Sequence, residues 1–358
     1  MSRKESVDVL RKKIDQIDEK VVALLNDRAS LAQRIGQRKG LNNEQIYVPT
    51  REKQIYERVS RLSRGPLSAQ AIRSIFREVV SASRSLEAPL KVVYLGPEAT
   101  FTHLAAREKF GSSTALIPMG TIAEVFQEVS QGRVSFGVVP IENSTEGVVA
   151  HTLDLLVESD VGICAELFLD IHHYLLSRSG RAEDLQRIVS HPQALAQCRS
   201  WLATRFPSVK LDEVGSTAQA ALMAVVDSSL GAISSSLAKE FYDLEVVEAN
   251  IEDHGNNITR FLVIGRHSAP PTGDDKTSLV FSVKDRPGIL HRMLQPFAKS
   301  RINLTKIESR PIKGKPWEYM FFIDFQGHRE EAKTKSAMKK LEENCIFIKI
   351  LGSYPSGA

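Results

Sequence analysis

The first apolar residues of the chain recur at alternating intervals of three and four, which is typical of an amphipathic helix. The stripe consists of Val7, Leu10, Ile14, Ile17, Val21, Leu24, Leu31 and Ile35. No proline or glycine interrupts it before Gly36, so a helix of roughly 30 residues and about 45 Å is predicted. That helix is too long to bury its stripe within the all-helical segment 1–88, which implies a partner chain. Further helices should begin at Pro49, favourable in a first turn, and after Ser68, a good N-cap.

Beyond Leu90 the pattern changes to short β-rich runs separated by helical stretches, which indicates an α/β domain over residues 90–268. The predicted strands are Lys91–Leu95, Phe136–Pro140, Gly162–Phe168, Ile188–Ser190, Gly231–Ser234 and Arg260–Ile264. The composition of residues 268–273 is that of a linker. The next segment, 276–354, reads strand, helix, two strands, helix and strand. That βαββαβ order predicts an α+β ferredoxin-like sandwich.

Composition narrows the classes of protein. With 358 residues, 42% of them hydrophobic, the chain should fold into two or three globular domains. The polar start lacks the apolar core of a signal peptide, and no apolar run approaches the roughly 20 residues of a membrane span. We therefore expect a cytoplasmic protein that does not engage a membrane. Cys164, Cys198 and Cys345 lack the spacing of metal ligands or of a disulfide framework, so no metal site is expected.

Charge is unevenly distributed. Residues 1–88 carry 18 Lys and Arg against 11 Asp and Glu. Such a basic segment could bind nucleic acid, or it could concentrate positive charge around a small polyanion. Individual positions have to decide between these alternatives.

Polar residues lie where the three amino-terminal helices should bury apolar ones. The first stripe continues to Arg28, the second reaches Glu52, and the third leads to Ser83 and then Glu87. Burying a lone charge is costly, so these groups must find partners or bind something. A structural salt bridge between Arg28 and Glu52 would explain one pair. Polar groups on all three stripes favour a polar pocket in the bundle core.

The segment resembles the all-helical chorismate mutases over residues 5–88. The matching residues are Arg11, Arg28, Lys39, Arg51, Glu52, Ser83 and Glu87. Chorismate carries two carboxylates, and its rearrangement builds negative charge on the ether oxygen. Arginines can grip the carboxylates bidentately, and a lysine can stabilise the oxygen. This chemistry favours the small polyanion over nucleic acid as the partner.

The resemblance also implies individual roles in the mutase. Lys39 would stabilise the ether oxygen, Glu52 would bind the substrate hydroxyl, Glu87 would face the ether oxygen, and Arg11 would enter from the other subunit of an intertwined dimer. Val48 stands where an acidic residue is common, although its backbone amide could serve the substrate. Glu87 stands where glutamine is common, so its protonation matters.

Three stretches of the central segment follow predicted strands with hydroxyl and amide residues. They are residues 94–103, 140–147 and 190–193. Each alone could be turn and capping chemistry. Together they resemble the prephenate dehydratases across residues 91–267, with Pro-Ile-Glu-Asn-Ser-Thr from Pro140 and Thr-Arg-Phe from Thr259 as the specific signatures. The family's architecture is two α/β lobes around a cleft, as in periplasmic binding proteins.

The dehydratase resemblance implies a site without metal or redox cofactor, because aromatisation drives the loss of carbon dioxide and the ring hydroxyl of prephenate. Thr259 would assist the leaving hydroxyl as a proton or hydrogen-bond donor. The implied substrate-binding residues are Thr100, Asn143, Ser144, Thr145, Ser190 and Gln197. His191 and His254 precede proline and glycine, so they are assigned to turns. Ala99 replaces a glycine frequent in the first loop.

The last segment contains a turn with glycine between a strand and a helix, and a polar end to the next strand. These stretches resemble the phenylalanine-binding parts of ACT domains. The implied effector-binding residues are Gly288, Ile289, Leu290, His291, Glu308, Ser309, Arg310 and Pro311. In that family phenylalanine binds between two such domains, so a homodimer or higher homo-oligomer is expected.

The sequence thus predicts a bifunctional enzyme of phenylalanine biosynthesis that makes prephenate from chorismate and phenylpyruvate from prephenate, inhibited by phenylalanine. One alternative is a non-catalytic phenylalanine sensor, against which the retained Arg28 and Thr259 argue. Another is an enzyme that prefers arogenate, the aminated analogue of prephenate.

Overall fold

A computed structural model describes residues 6–41, 47–87, 89–312 and 319–357. The chain divides into two compact units, and the first contains residues 1–90 together with the segment Phe110–Ala115. Its helices are α1 (Val7–Leu41), α2 (Pro49–Leu62) and α3 (Ala69–Glu87). Helices α1 and α3 approach so closely that a Cβ on Gly36 would lie 2.7 Å from Glu87 Cα. Glycine at this position permits the contact.

The apolar stripe of α1 is exposed within the single chain. The helix has 35 residues, which corresponds to roughly 52 Å. Ile14, Ile17 and Leu24 are 56%, 57% and 67% exposed. The helix is therefore even longer than expected, and most of its stripe has no cover from the first unit itself.

The second unit begins with a mixed sheet that forms one lobe. Its strands are β1 (Lys91–Leu95), β2 (Ala115–Met119), β3 (Phe136–Asn143), β4 (Gly147–Val148), β5 (Gly162–Asp170) and β11 (Ile258–Gly265), numbered along the chain. The order is β2-β1-β3-β11-β5, with β4 paired to β3. Helices α4 (Phe101–Phe110), α5 (Ile122–Ser130) and α6 (Ala150–Glu158) connect these strands. Strand β11 runs antiparallel to both β3 and β5, so it lies in the interior of the sheet.

A second lobe is inserted between β5 and β11. Its strands are β6 (Tyr174–Ser177), β7 (Arg187–Ser190), β8 (Lys210–Glu213), β9 (Leu230–Ser234) and β10 (Glu245–Ala249), in the order β10-β6-β9-β7-β8. Its helices are α7 (Pro192–Gln197), α8 (Arg199–Arg205), α9 (Thr217–Val226) and α10 (Ser236–Tyr242), with a 3-10 turn at Ala182–Asp184. The chain crosses between the lobes twice. The crossings bond to each other through Ile171 N to Asn257 O at 2.8 Å and Ile251 N to His173 O at 3.0 Å.

The last part of the second unit is a four-stranded antiparallel sheet with two helices. Its elements are β12 (Asp275–Ser282), α11 (Ile289–Lys299), β13 (Leu304–Pro311), β14 (Tyr319–Gln326), α12 (Ala332–Glu342) and β15 (Phe347–Pro355). The strand order β13-β14-β12-β15 is that of the ferredoxin-like fold. The fold class predicted from the sequence is confirmed in all three parts. None of the helices in the described ranges is both long enough and apolar enough to cross a membrane.

A buried charged cluster joins this carboxy-terminal sheet to the first lobe. Arg260 on β11 donates to Glu166 on β5 at 2.8 Å and to Asp324 on β14 at 2.6 Å. It also donates to the Tyr354 hydroxyl on β15 at 3.0 Å. Lys276 on β12 pairs with Glu166 at 2.6 Å. The four charges balance, which is what permits their burial.

Candidate functional sites

Arg28 and Ser83 meet inside the helical unit. Arg28 donates to the Ser83 hydroxyl and, at 3.4 Å, to the Val79 carbonyl. Ser83 in turn donates to the Val79 carbonyl at 2.7 Å. Burial lowers the pKa of Arg28, and the nearby Glu87 carboxylate opposes this shift. The guanidinium is thus held on a polar face formed by α1 and α3.

Lys39 and Glu87 complete this polar face. Lys39 Nζ lies 3.9 Å from Glu87 Oε2, and both side chains are largely shielded from solvent. Desolvation raises the pKa of Glu87, although Lys39, Arg84 and Arg28 pull it the other way. At Glu87 burial therefore outweighs the neighbouring cations. A larger share of neutral Glu87 at a given pH follows.

Glu52 is buried, but its partner is not Arg28. Its carboxylate accepts from Arg84, a residue that the sequence argument did not single out. Arg84 also donates to the Phe110 carbonyl and, at 3.1 Å, to the Thr114 hydroxyl. Its guanidinium lies 5.2 Å from the ring centroid of Tyr47. The Arg28–Glu52 salt bridge considered above is therefore wrong, and Arg84 holds Glu52 in place.

The other predicted mutase residues lie around this face or away from it. Arg51 is exposed and donates to Gln54 at 3.5 Å, and its charge lowers the pKa of Arg28. Val48 is the N-cap of α2, where its carbonyl accepts the first helical hydrogen bonds. Arg11 is 72% exposed and pairs with Asp8. Arg11 stands 17 residues before Arg28 on one helix, a separation of about 25 Å, so it is not part of the same chain's polar face.

A cavity of about 310 Å³ lies in the second unit, where the two lobes and the two crossings meet. Its lining includes three predicted residues, Asn143, Gln197 and Thr259. The first turns of α4 and α9 contribute Phe101, Thr102 and Thr217. Helix N-termini favour anions because their amides are unpaired. The cavity therefore suits a negatively charged ligand.

The hydrogen bonds of Asn143 fix the orientation of its amide. The Oδ1 atom accepts from the backbone amides of Thr145 at 2.9 Å and Glu146 at 3.1 Å. Because those amides can only donate, the opposite atom must be Nδ2. Nδ2 then donates to Thr259 Oγ1 at 2.8 Å. Among the residues that the structure describes, none accepts the Thr259 hydroxyl hydrogen, so this hydroxyl can donate to a ligand.

Other predicted substrate ligands form the frame of the cavity instead of lining it. Ser190 is fully buried and donates to the Ile233 carbonyl at 2.7 Å. Thr100 donates to the Pro97 carbonyl at 2.9 Å and accepts from His103 N at 3.3 Å, as a residue at a helix start does. Ser144 bridges to the second crossing through Asn256 and Ile258. The Thr145 hydroxyl donates to Asn143 Oδ1 at 2.5 Å.

Several residues that line the cavity were not among the predicted substrate-binding residues. Asn257 and His173 come from the two crossings, and Glu146 and Gln193 come from turns. His191, assigned above to a turn, caps α7 through Nδ1, which accepts from Gln193 N at 3.3 Å, and it also lines the cavity. His173 follows His172 directly after β5, and no spacing rule marks either of them.

Ala99 adopts a left-handed backbone with φ of 63°. This is the loop in which glycine is frequent in the family that the sequence resembles. The conformation is one that glycine adopts without strain, whereas an L side chain rarely does. The substitution noted above thus lies at the turn residue with the most demanding backbone geometry.

The predicted effector residues occupy two parts of the carboxy-terminal sheet. Gly288, with φ of 75°, is the N-cap of α11. Ile289 is buried in the core, Leu290 packs against that core, and His291 is exposed. The second stretch, Glu308 to Pro311, ends β13, an edge strand.

Within this second stretch, Glu308 is half-buried, whereas Ser309 and Pro311 are exposed. Arg310 donates to the Ala150 carbonyl and lies 2.9 Å from Asp154 on α6. Arg310 therefore links the sheet to the first lobe.

Comparisons with known proteins divide the chain into the same three parts. Residues 10–88 match the family model for chorismate mutase type II, residues 92–269 that for prephenate dehydratase, and residues 277–343 that for the ACT domain. A bifunctional chorismate mutase/prephenate dehydratase from Aquifex aeolicus is 50% identical over 98% of both chains. Its counterpart from Pseudomonas aeruginosa is 44% identical over 99% of both.

A solved structure is also similar to a large part of this chain. It is the crystal structure of prephenate dehydratase from Arthrobacter aurescens in complex with L-Phe. It covers 74% of this chain and 90% of that one, with a TM-score of 0.69 and 33% identity.

Proposed function

This chain belongs to the family of bifunctional chorismate mutase/prephenate dehydratases, and from that premise we propose that the polar helical face and the bilobal cavity are its two catalytic sites. The chain converts chorismate to prephenate and prephenate to phenylpyruvate in L-phenylalanine biosynthesis. We propose domain bounds of 1–88, 90–268 and 276–354 for the mutase, dehydratase and ACT parts.

In the mutase site, Arg28 binds a carboxylate of chorismate, and Ser83 holds the guanidinium in place. Lys39 and protonated Glu87 donate hydrogen bonds to the ether oxygen as its charge grows, which lowers the barrier. The distance of 3.9 Å between Lys39 Nζ and Glu87 Oε2 supports this, since both groups can reach the same substrate atom. Arg84 orients Glu52 toward the substrate hydroxyl.

A second copy completes the mutase site. Arg11 is exposed and about 25 Å along the helix from Arg28, so it serves the site of another chain. The exposed stripe of α1 supports pairing of two such helices, because exposed apolar patches of this kind mark interaction surfaces. We propose an intertwined homodimer as the smallest active form.

In the dehydratase site, the bond from the ring to its carboxylate breaks and releases carbon dioxide. The electron pair moves through the ring and expels the hydroxyl, which leaves as water after gaining a proton. Thr259 donates a hydrogen bond to the departing hydroxyl; as a weak acid it mainly orients and stabilises charge. Gln197 holds a polar group of prephenate, whereas Asn143, whose two amide hydrogens go to Thr259 and Asn257, orients the Thr259 hydroxyl. The orientation of Asn143, fixed by two backbone amides, is the observation that carries this assignment.

Phenylalanine binds the ACT part and inhibits the dehydratase. The relative crystallised with L-Phe supports this proposal, as does the link from Arg310 to α6. Binding between two ACT domains also requires a homo-oligomer. A cytoplasmic location accords with three unpaired cysteines. Titrating phenylalanine into the full-length enzyme should inhibit prephenate turnover, and an unaffected rate would place feedback control elsewhere.

One assay tests the substrates. Purified protein is incubated separately with chorismate, prephenate and arogenate, and the products are followed by chromatography. We expect chorismate to yield prephenate and then phenylpyruvate, and supplied prephenate to yield phenylpyruvate. Turnover of none of these compounds would indicate the sensor alternative. Exclusive turnover of arogenate at the second step would revise that substrate.

A further inference from the structure

His173 lies in the first crossing between the lobes and has one side-chain hydrogen bond that the structure describes. Its Nε2 is 2.8 Å from Gln197 Oε1. The residue is 2% exposed, and its ring packs edge-on against Phe101 at 5.5 Å between centroids. It lines the cavity, yet it is absent from the roles assigned above.

The direction of each hydrogen bond near His173 follows from the backbone. Asn143 Nδ2, fixed by two backbone amides, donates to Asn257 Oδ1 at 2.7 Å. Asn257 must therefore present Nδ2 to Gln197, and it does so at 2.9 Å from Oε1. Since Oε1 of Gln197 can only accept, the His173 nitrogen facing it must carry the proton. The tautomer of His173 is thereby set as Nε2–H.

These bonds form a closed ring that joins both lobes and the second crossing. Gln197 Nε2 lies 3.4 Å from the Thr145 hydroxyl, which donates back to Asn143 Oδ1. His173 attaches the first crossing to this ring. Its Nδ1 is buried and lacks a hydrogen-bond partner among the described residues. Burial also lowers the pKa of the ring, so histidine stays neutral there.

We propose that His173 is a positioning residue of the dehydratase, which holds Gln197 in the orientation that directs its amide N–H at prephenate. The inference rests on the proposed role of Gln197. Without the donor on His173, Gln197 Oε1 keeps only Asn257, and the amide can rotate. Gln197 Nε2 would then no longer be held in one position relative to prephenate and the Thr145 hydroxyl.

Two substitutions separate positioning from packing. His173→Leu removes the donor and keeps an apolar side chain. His173→Gln restores an N–H donor near the position of Nε2, because the glutamine amide nitrogen is also an ε atom. We expect kcat/KM for prephenate to fall about two- to tenfold in the leucine variant, since the loss of one hydrogen bond to Gln197 Oε1 has a cost of that order. The glutamine variant should recover most of the rate, and mutase activity of the same chain should not change.

A double-mutant cycle with Gln197→Ala covers the case in which the leucine variant is unstable. If His173 acts through Gln197, adding His173→Gln or His173→Leu to Gln197→Ala should lower kcat/KM by less than twofold further. Equal losses in both His173 variants, a leucine variant with the wild-type rate, or additive losses in the cycle would each overturn the inference. A wild-type chain that fails to dehydrate prephenate would instead contradict the proposed function.

Discussion

Arg260 offers a quantitative test of how the ACT sheet is attached to the catalytic strand. It follows Thr259 directly on β11, and successive residues of a strand point to opposite faces. Thr259 therefore faces the cavity, whereas Arg260 faces Glu166, Asp324 and Tyr354. Replacing Arg260 with Met keeps an apolar chain of similar length and removes the charge.

The expected cost follows from what remains after the substitution. Glu166 keeps Lys276 at 2.6 Å and the backbone amide of Gly357 at 3.0 Å. Asp324 keeps the hydroxyl of Ser278 at 2.5 Å. Breaking a buried pair costs about 3–5 kcal/mol, and the retained partners place Arg260→Met near the lower end, at about 3 kcal/mol. For a unit of this size that corresponds to a fall in Tm of roughly 6–12 °C.

The assay is the temperature of half-inactivation, measured separately for the dehydratase and the mutase. In Arg260→Met the half-inactivation temperature of the dehydratase should fall by roughly 6–12 °C, and that of the mutase should not change. Arg133→Met is the matched control, because Arg133 pairs with Glu128 on the surface and its loss should have no measurable effect. A dehydratase as heat-stable as the wild type would refute the view that this cluster holds the ACT sheet to β11. The same contacts imply that deleting residues 276–358 would leave Arg260 and Glu166 with only each other, because Asp324, Tyr354 and Lys276 would be lost.

Two further predictions concern the mutase. Mutase kcat/KM should fall as pH rises through the raised pKa of Glu87, because only the protonated acid donates to the ether oxygen. In Glu87→Gln, kcat/KM should no longer fall over this pH range. A wild-type profile that is flat from acid to neutral pH would remove Glu87 from this role. Gly36→Ala should lower the free energy of unfolding by about 1–3 kcal/mol, because its Cβ would lie 2.7 Å from Glu87 Cα. It should also lower mutase activity. Gly65→Ala, which meets open space, is the control, and equal behaviour of the two variants in thermal unfolding would contradict the close packing.

Local patterns predicted those features of the fold that depend on periodicity. The stripe of α1 indicated both the long helix and the place of Arg28, but the contact of Arg28 with Ser83 was not predicted. Strand β1 has the predicted bounds, Lys91–Leu95. Strand β3 extends three residues beyond its predicted end at Pro140, because β11 pairs with it as far as Asn143.

Contacts between distant parts of the chain were beyond the reach of these patterns. Arg84 was not predicted as a site residue, because it is one of many basic residues in the helical segment. Its partners Phe110 and Thr114 also lie beyond the predicted domain boundary. The resemblance to the prephenate dehydratases implied that Ser190 binds substrate. Its side chain instead donates to the Ile233 carbonyl, because β7 pairs with β9.

The central claim is that one chain carries two separable active sites, and two variants assayed together test it most directly. Arg28→Ala should form no prephenate from chorismate yet convert supplied prephenate to phenylpyruvate. Thr259→Ala should accumulate prephenate. Mixing the two proteins should restore phenylpyruvate formation from chorismate, since prephenate released by one can be used by the other. Loss of both activities in either single variant, or a mixture that still stops at chorismate or prephenate, would contradict the assignment of the two sites.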